Sequence, residues 1–228
     1  MQWTPPADST IPEGPMGDTV RLGRDIFNDT PKYAEKYTGN KLSCSSCHVS
    51  GGTVPFGIPV VGVPGLFPMY RDREKQVVTY EERIEQCFQR SENGHRLPNM
   101  SPEMVALVAY SQWLSQDQPA GKSFAGRGLI KLPALDGDPE RGSKIYVKQC
   151  VVCHGANGAG KYPDFPALWG PDSYNVGAGL YGTDRMAAFI QYNMPQLTPG
   201  TLTPQEAYDV AAYVHSMPHT PFDIKQHQ

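Results

Sequence analysis

Apolar residues recur at helical spacing in six stretches of this 228-residue chain, and Gly- and Pro-rich segments separate those stretches. Asp18 to Asn28 (DTVRLGRDIFN) and Asp138 to Gln149 (DPERGSKIYVKQ) each open on an Asp suited to cap a helix N-terminus. Each also places a glycine four residues before an aromatic, Gly23 with Phe27 and Gly142 with Tyr146. A glycine on a helix face lets another backbone come close, and the aromatic fills the space beside it. Ser101 to Gln116 and Thr203 to Ser216 both begin with Ser or Thr at the cap position and Pro at the first helical position. Between them lie shorter helical patterns over Tyr80 to Ser91 and Thr183 to Asn193. The pattern therefore runs twice through one order of elements, with Leu114 to Gly137 weakly periodic and read as a linker. The stripes Ile26, Phe27, Leu107, Ala211 and Val214 are expected to be core. Lys131-Leu132-Pro133 finds no place in the pattern.

Five cysteines add chemistry to this plan: Cys44, Cys47, Cys87, Cys150 and Cys153. Four form two pairs, each followed at once by histidine, in Cys44-Ser45-Ser46-Cys47-His48 and Cys150-Val151-Val152-Cys153-His154. The C-x-x-C-H spacing lets two thiols add to the two vinyl groups of one porphyrin while the adjacent imidazole reaches the iron. A lone C-x-x-C is also compatible with a redox disulfide or half a zinc site, but a His directly after both copies points to two covalently attached haems c. Each motif falls after the first helix of its repeat. The order of helix, motif, long loop, helix, loop, helix resembles the class I cytochrome c fold. The expected architecture is mainly α, with two tandem cytochrome c-like domains: residues 1–116, a linker over 117–137, and residues 138–228. Domains this small gain a core by wrapping an apolar macrocycle.

Composition narrows the class further. Lys and Arg number 20 against 23 Asp and Glu, a net charge of −3 that argues against a nucleic-acid-binding surface. Gly and Pro, 23 and 22, mean many loops without a disordered composition. No apolar run reaches 18 residues, so no membrane span is expected. Met1-Gln2-Trp3 leads into Thr4-Pro5-Pro6 with no apolar signal segment. Haem attachment at C-x-x-C-H normally follows export, so the chain reads as a mature periplasmic form with an added Met1.

His48 and His154 are the expected proximal ligands, with His95, His215, His219 and His227 left as surface residues and the C-terminal tail frayed. For the opposite side of the second iron, Met194 precedes Pro195, 40 residues after His154; Met186 competes but sits inside a helix on its core side. In the first repeat Cys87 lies 39 residues after His48. Met69, Met100 and Met104 are the alternatives, and none matches the position of Met194, so repeat symmetry places Cys87 at the first iron. The bland reading of Cys87 is a buried inert thiol. Against it, a free thiol is a liability in an oxidising compartment, and Arg83 and Arg90 lie one turn away on either side, favouring thiolate. A thiolate ligand lowers the potential of its iron and can leave it to act as a nucleophile.

These residues resemble the dihaem thiosulfate dehydrogenases, which join two thiosulfates into tetrathionate and release two electrons. The resemblance runs from about Gly17 to Ser216. Beyond the haem motifs it is carried by Arg83-Ile84-x-x-Cys87-Phe88-x-Arg90-Ser91-x-Asn93-Gly94, by Tyr110-x-x-Trp113-Leu114-Ser115-Gln116, and by Leu168-Trp169-Gly170-Pro171-x-Ser173-Tyr174-Asn175-x-Gly177-Ala178-Gly179. It implies that Cys87 and Met194 complete the two haem ligand sets and that Arg73 and Arg83 act at the substrate site with Cys87. Some family members carry a Lys just before the Met ligand; here Asn193 stands there, so ligand exchange by Lys is absent. The implied partners are thiosulfate or tetrathionate and an external electron acceptor, such as a small cytochrome c or another high-potential redox protein. The competing class is a non-enzymatic dihaem electron carrier, for which two His/Met haems would be usual. A peroxidase would need an open distal site and a further histidine, and no residue is placed for that.

Overall fold

The structure is a computed structural model that describes residues 3–227; Met1, the residue read as an added start, lies outside them, as does the side chain of His227. The helices are α1 (Pro15–Asn28), α2 (Tyr80–Arg90), α3 (Pro102–Leu114), α4 (Pro139–Gln149), α5 (Thr183–Asn193) and α6 (Pro204–Ser216), with short helical turns between them. One antiparallel hairpin, β1 (Met69–Arg71) with β2 (Gln76–Val78), precedes α2.

Local chemistry explains most boundaries. Ser101 and Thr203 cap α3 and α6 by accepting from the backbone N–H of Met104 and Glu206. Asp138 caps α4, accepting from Glu140 and Arg141. Asp18 does not cap α1. The helix starts earlier, because Pro15 is preset for its first turn, and Asp18 instead pairs with Arg21 at 2.9 Å inside it. Thr79 and Glu82 close a reciprocal capping box on α2, the helix that carries Cys87.

Helix α1 crosses α3, and α4 crosses α6, at the same kind of contact. A Cβ on Gly23 would lie 1.9 Å from the Ala106 carbonyl oxygen, and one on Gly142 would lie 1.9 Å from that of Asp209. The two glycines therefore set how closely each pair of helices approaches. Ile26, Phe27, Leu107, Ala211 and Val214 are all buried, as the stripes predicted.

Two apolar cores follow. One gathers α1 and α3 with Val60, Phe88 and Leu97; the other gathers α5 and α6 but also takes in Leu42 and Val49, which flank the first haem motif. The halves are joined by more than apolar contact. Asn40 donates to the carbonyls of Ser91 and Ser173, both at 2.9 Å, and Asn175 donates to Gln89 O at 2.9 Å and Asn93 Oδ1 at 3.0 Å. Lys41 pairs with Asp172 at 2.8 Å. The segment 168–179 thus clamps the second half onto the C-terminal end of α2.

Residues 117–137 hold no helix or strand. They are nonetheless tied down: Phe56 and Ile58 donate to the carbonyls of Gly126 and Gly128, and Leu129, Leu132 and Leu135 pack against the second core. Leu132, unplaced by pattern, is part of that packing. No helix among the described residues is long and apolar enough to cross a membrane.

Candidate functional site: two cavities with unlike walls

Each half encloses a cavity between its C-x-x-C-H segment and the loop facing it. The second, about 350 Å³, is lined by Cys150, Cys153, His154 and Met194, with Leu168, Ile190, Val210 and Val214 among its apolar walls. His154 Nδ1 lies 2.9 Å from the Pro166 carbonyl, which holds the ring so that Nε2 is the nitrogen left for the cavity. Gly155, at φ +73°, then turns the chain away from the motif. Met186, the competitor to Met194, lines the same cavity but is buried in α5. Asn193, just before Met194, spends its amide on the carbonyls of Phe56 and Phe189 at 3.3 and 3.1 Å.

The first cavity, about 240 Å³, is lined by Cys44, Cys47, His48 and Cys87. His48 Nδ1 faces the Ile58 carbonyl at 2.5 Å, the same device as at His154. No methionine among the described residues lines this cavity: Met100 is 84% exposed, Met104 is fully buried in the core, and Met69 sits in β1. Cys87 is the sulfur that faces His48, within hydrogen-bonding reach of its ring.

The thiols differ in character. Burial pushes Cys47 up to about 12 and Cys150 up to about 11, and raises Cys44 as well. Burial acts on Cys87 in the same sense, but the charge of Arg83 and hydrogen bonds from His48 and Arg83 outweigh it and hold the thiol down at about 6. Arg83 stands one turn before Cys87 on α2, and its Nη1 donates to Sγ at 3.0 Å. Glu92, also on this wall, is pushed up to about 8 by burial and by Cys87, so it carries no full negative charge at neutral pH.

Arginines set the cavity's electrostatics. Arg83 lines it as expected, together with Arg71, Arg127 and Arg185, which the pattern did not single out. Arg73 sits exposed at the hairpin turn rather than among the lining residues, in the field of Arg90, Arg83 and Arg185. Arg90 is committed to Glu74 at 3.1 Å and lies over the Phe222 ring. Arg71 shares Glu74 at 3.7 Å. Among the described residues, no carboxylate pairs with Arg73, Arg83, Arg127 or Arg185.

His95 is exposed as expected, but His215 and His219 are not simple surface residues. They are half-buried in an aromatic cluster with Tyr174 and Tyr181, with ring centroids 4.9 to 5.9 Å apart. The segment after α6 runs along residues 170–176, where Gly170 and Val176 donate to the carbonyls of Pro218 and Thr220, and this long-range contact, which periodicity does not carry, sets His219 against Tyr174.

Both cavities fit a c-type haem. Each presents two thiols and an imidazole from one motif, apolar side chains in its lining and a sulfur on the opposing side, Cys87 on α2 in the first and Met194 just after α5 in the second, and all five cysteines are free of disulfides. No cluster of three or more His, Cys, Asp or Glu side chains is arranged to hold a zinc-type ion among the described residues.

Comparisons with known proteins agree. Residues 29–120 match the SoxA/TsdA cytochrome c domain, and residues 139–218 match Cytochrome c. The chain is 45% identical over 219 residues to the thiosulfate dehydrogenase of Thiomonas intermedia, covering 93% of this chain and 70% of that protein. The chain belongs to the thiosulfate dehydrogenase family. A relative from Allochromatium vinosum is 38% identical, with 94% of this chain and 83% of that protein covered. The solved thiosulfate dehydrogenase (TsdBA) of Marichromatium purpuratum, in its as-isolated form, superposes with a TM-score of 0.90 at 39% identity. That match covers 94% of this chain and 49% of the solved one, so this chain spans about half of its length. The fold is thus two cytochrome c domains carrying two covalently bound c-type haems.

Proposed function

We propose that this protein oxidises thiosulfate in the periplasm, coupling two molecules into tetrathionate at the first cavity. Residues 1–116 and 138–228 act as the two domains and 117–137 as the linker. The observation that carries the reading is Cys87: a thiol held down at about 6, bonded to Arg83 and facing His48, in a cavity lined by four arginines of which only Arg71 pairs with a carboxylate among the described residues. The second cavity has Met194 in the corresponding place.

Cys87 with His48, and Met194 with His154, are the residues that hold the two irons. When bound, the haems supply one-electron acceptance, so that two electrons leave the first site in steps and pass to an external acceptor, such as a small cytochrome c. The chain's own residues do the rest. Arg83 keeps Cys87 as thiolate. The thiolate sulfur and the terminal sulfur of one thiosulfate form an S–S bond, giving a Cys87 S-thiosulfonate and releasing two electrons. A second thiosulfate then attacks the sulfur bound to Cys87; tetrathionate departs and the thiolate is restored, with no net proton uptake. Arg73 and Arg83 offset the dianions' charge, and arginine's planar fork suits a sulfonate better than lysine does.

The test is an assay with thiosulfate and ferricyanide on protein carrying both haems. Stoichiometric tetrathionate with turnover supports the reading. Reversible redox cycling with no thiosulfate consumed would instead identify an electron carrier.

A further inference from the structure

The coupling of two dianions needs a second anion position, and the first domain supplies few free cations for it. Arg83 is engaged with the Cys87 sulfur at 3.0 Å, while Arg71 and Arg90 share Glu74 at 3.7 and 3.1 Å. Arg127, in the linker, and Arg185 both line the cavity without a carboxylate partner among the described residues, and Arg185 alone of these two comes from the second domain. It stands in the first turn of α5, in the second domain, yet its side chain lines the cavity of the first. It is exposed, its guanidinium lies 3.6 Å from where a Cβ on Gly179 would sit, and no carboxylate pairs with it among the described residues.

Arg185 also belongs to a group of like charges. Partial desolvation, then Arg90, Arg83 and Arg185, hold the Arg73 guanidinium below its ordinary value, against the opposing pull of Glu74. Arginines gathered with so little counter-charge repel one another until an anion arrives. The clamp of 168–179 onto the end of α2 brings Arg185 to this place, through Asn175 to Gln89 and Asn93.

We propose that Arg185 binds the sulfonate of the second thiosulfate, and one sulfonate end of tetrathionate, so that the substrate site is completed by the domain that does not carry Cys87. The inference rests on the reading of this cavity as the thiosulfate site. In this arrangement Arg83 serves the reacting sulfur, whereas Arg185 fixes the approach of the attacking molecule.

The experiment uses the holoprotein and Arg185→Gln, with Arg185→Lys as the variant that keeps charge and loses the fork. Two measurements are made: steady-state kinetics with thiosulfate, and calorimetric binding of tetrathionate to the fully oxidised protein, which lacks the two electrons needed to complete its reduction to two thiosulfates. Arg185→Gln is expected to raise KM for thiosulfate at least 10-fold and to weaken tetrathionate binding by a similar factor. Its kcat should stay within about 3-fold and its haem absorbance should not change; Arg185→Lys should fall between. Wild-type KM and wild-type tetrathionate affinity in Arg185→Gln would overturn the inference and leave the thiosulfate reading standing. A wild-type protein that neither oxidises thiosulfate nor binds tetrathionate would overturn both.

Discussion

The two haem cavities occupy the same place in two copies of one fold, yet their walls differ in charge. The first presents Arg71, Arg83, Arg127 and Arg185 around a thiol; the second presents Leu168, Ile190, Val210 and Val214 around a thioether. The shared parts are those that hold a macrocycle: the C-x-x-C-H turn, a carbonyl fixing each His Nδ1, and a glycine at each helix crossing. What differs is what a small dianion would feel. An apolar pocket can carry an electron but gives a dianion no compensation for its lost hydration. The comparison teaches that the divergence between the repeats lies in the groups that line each cavity outside its C-x-x-C-H segment, while the frame stays constant.

Making the first cavity resemble the second should therefore have the largest effect. Cys87→Met and Cys87→Gly are expected to lower thiosulfate turnover by roughly 10³-fold or more, as removal of a nucleophile does. Mass spectrometry should still find both haems attached, because the anchors are Cys44, Cys47, Cys150 and Cys153. Near-normal turnover in either variant would remove the chemical distinction between the cavities. The double variant Cys87→Met with Met194→Cys should not recover activity, since no arginine lines the second cavity.

The sequence disclosed this contrast unevenly, and the reasons are physical. Haem anchoring is legible because two thiols and an imidazole must be neighbours in the chain to reach one ring. Caps at Ser101, Thr203 and Asp138 are legible because a cap bonds within three residues. Asp18 misled because Pro15 offered an earlier start to α1. The Arg83 to Cys87 contact follows from four-residue spacing on α2. Arg127 and Arg185 carry no such signal. They reach the first cavity only through linker pinning and domain docking, contacts between residues far apart in the chain. The hairpin of β1 and β2 likewise escaped the pattern, its strands being three residues each.

The frame common to both halves gives a prediction of intermediate size. Ala at position 23 or 142 would drive a Cβ to 1.9 Å from a carbonyl oxygen of the facing helix, and backbone cannot swing aside as a side chain does. Gly23→Ala and Gly142→Ala should each destabilise by about 2 kcal/mol, which lowers Tm by roughly 4–8 °C in a chain of this size. Differential scanning calorimetry checks this. A loss in one variant and none in the other would mean that the two crossings are not equivalent.

The smallest expected effect separates the halves by pH rather than by chemistry. The position on α6 held by His215 is occupied on α3 by Trp113, counting each from the capping Ser101 or Thr203. Trp113 stacks on Tyr110 and does not titrate in the acid range. His215 packs against Tyr181 with the rings tilted by 45° and lies 3.4 Å from the Thr183 hydroxyl. Burial, and then the nearby His219, push it down from 6.5 to about 4. The fold therefore holds His215 neutral, whereas the unfolded chain takes up a proton near pH 6.5. Stability from this residue is fully present above pH 6.5 and is lost progressively as the pH falls from 6.5 to about 4. His219 and the Leu180 carbonyl are the other polar groups facing the ring, and neither supplies a negative charge to reverse the sign. His215→Phe keeps the ring packing and removes the proton site, so its Tm should fall less steeply over that pH range than that of the wild type. An unchanged slope would show that the acid sensitivity belongs elsewhere and that the halves do not differ in this respect.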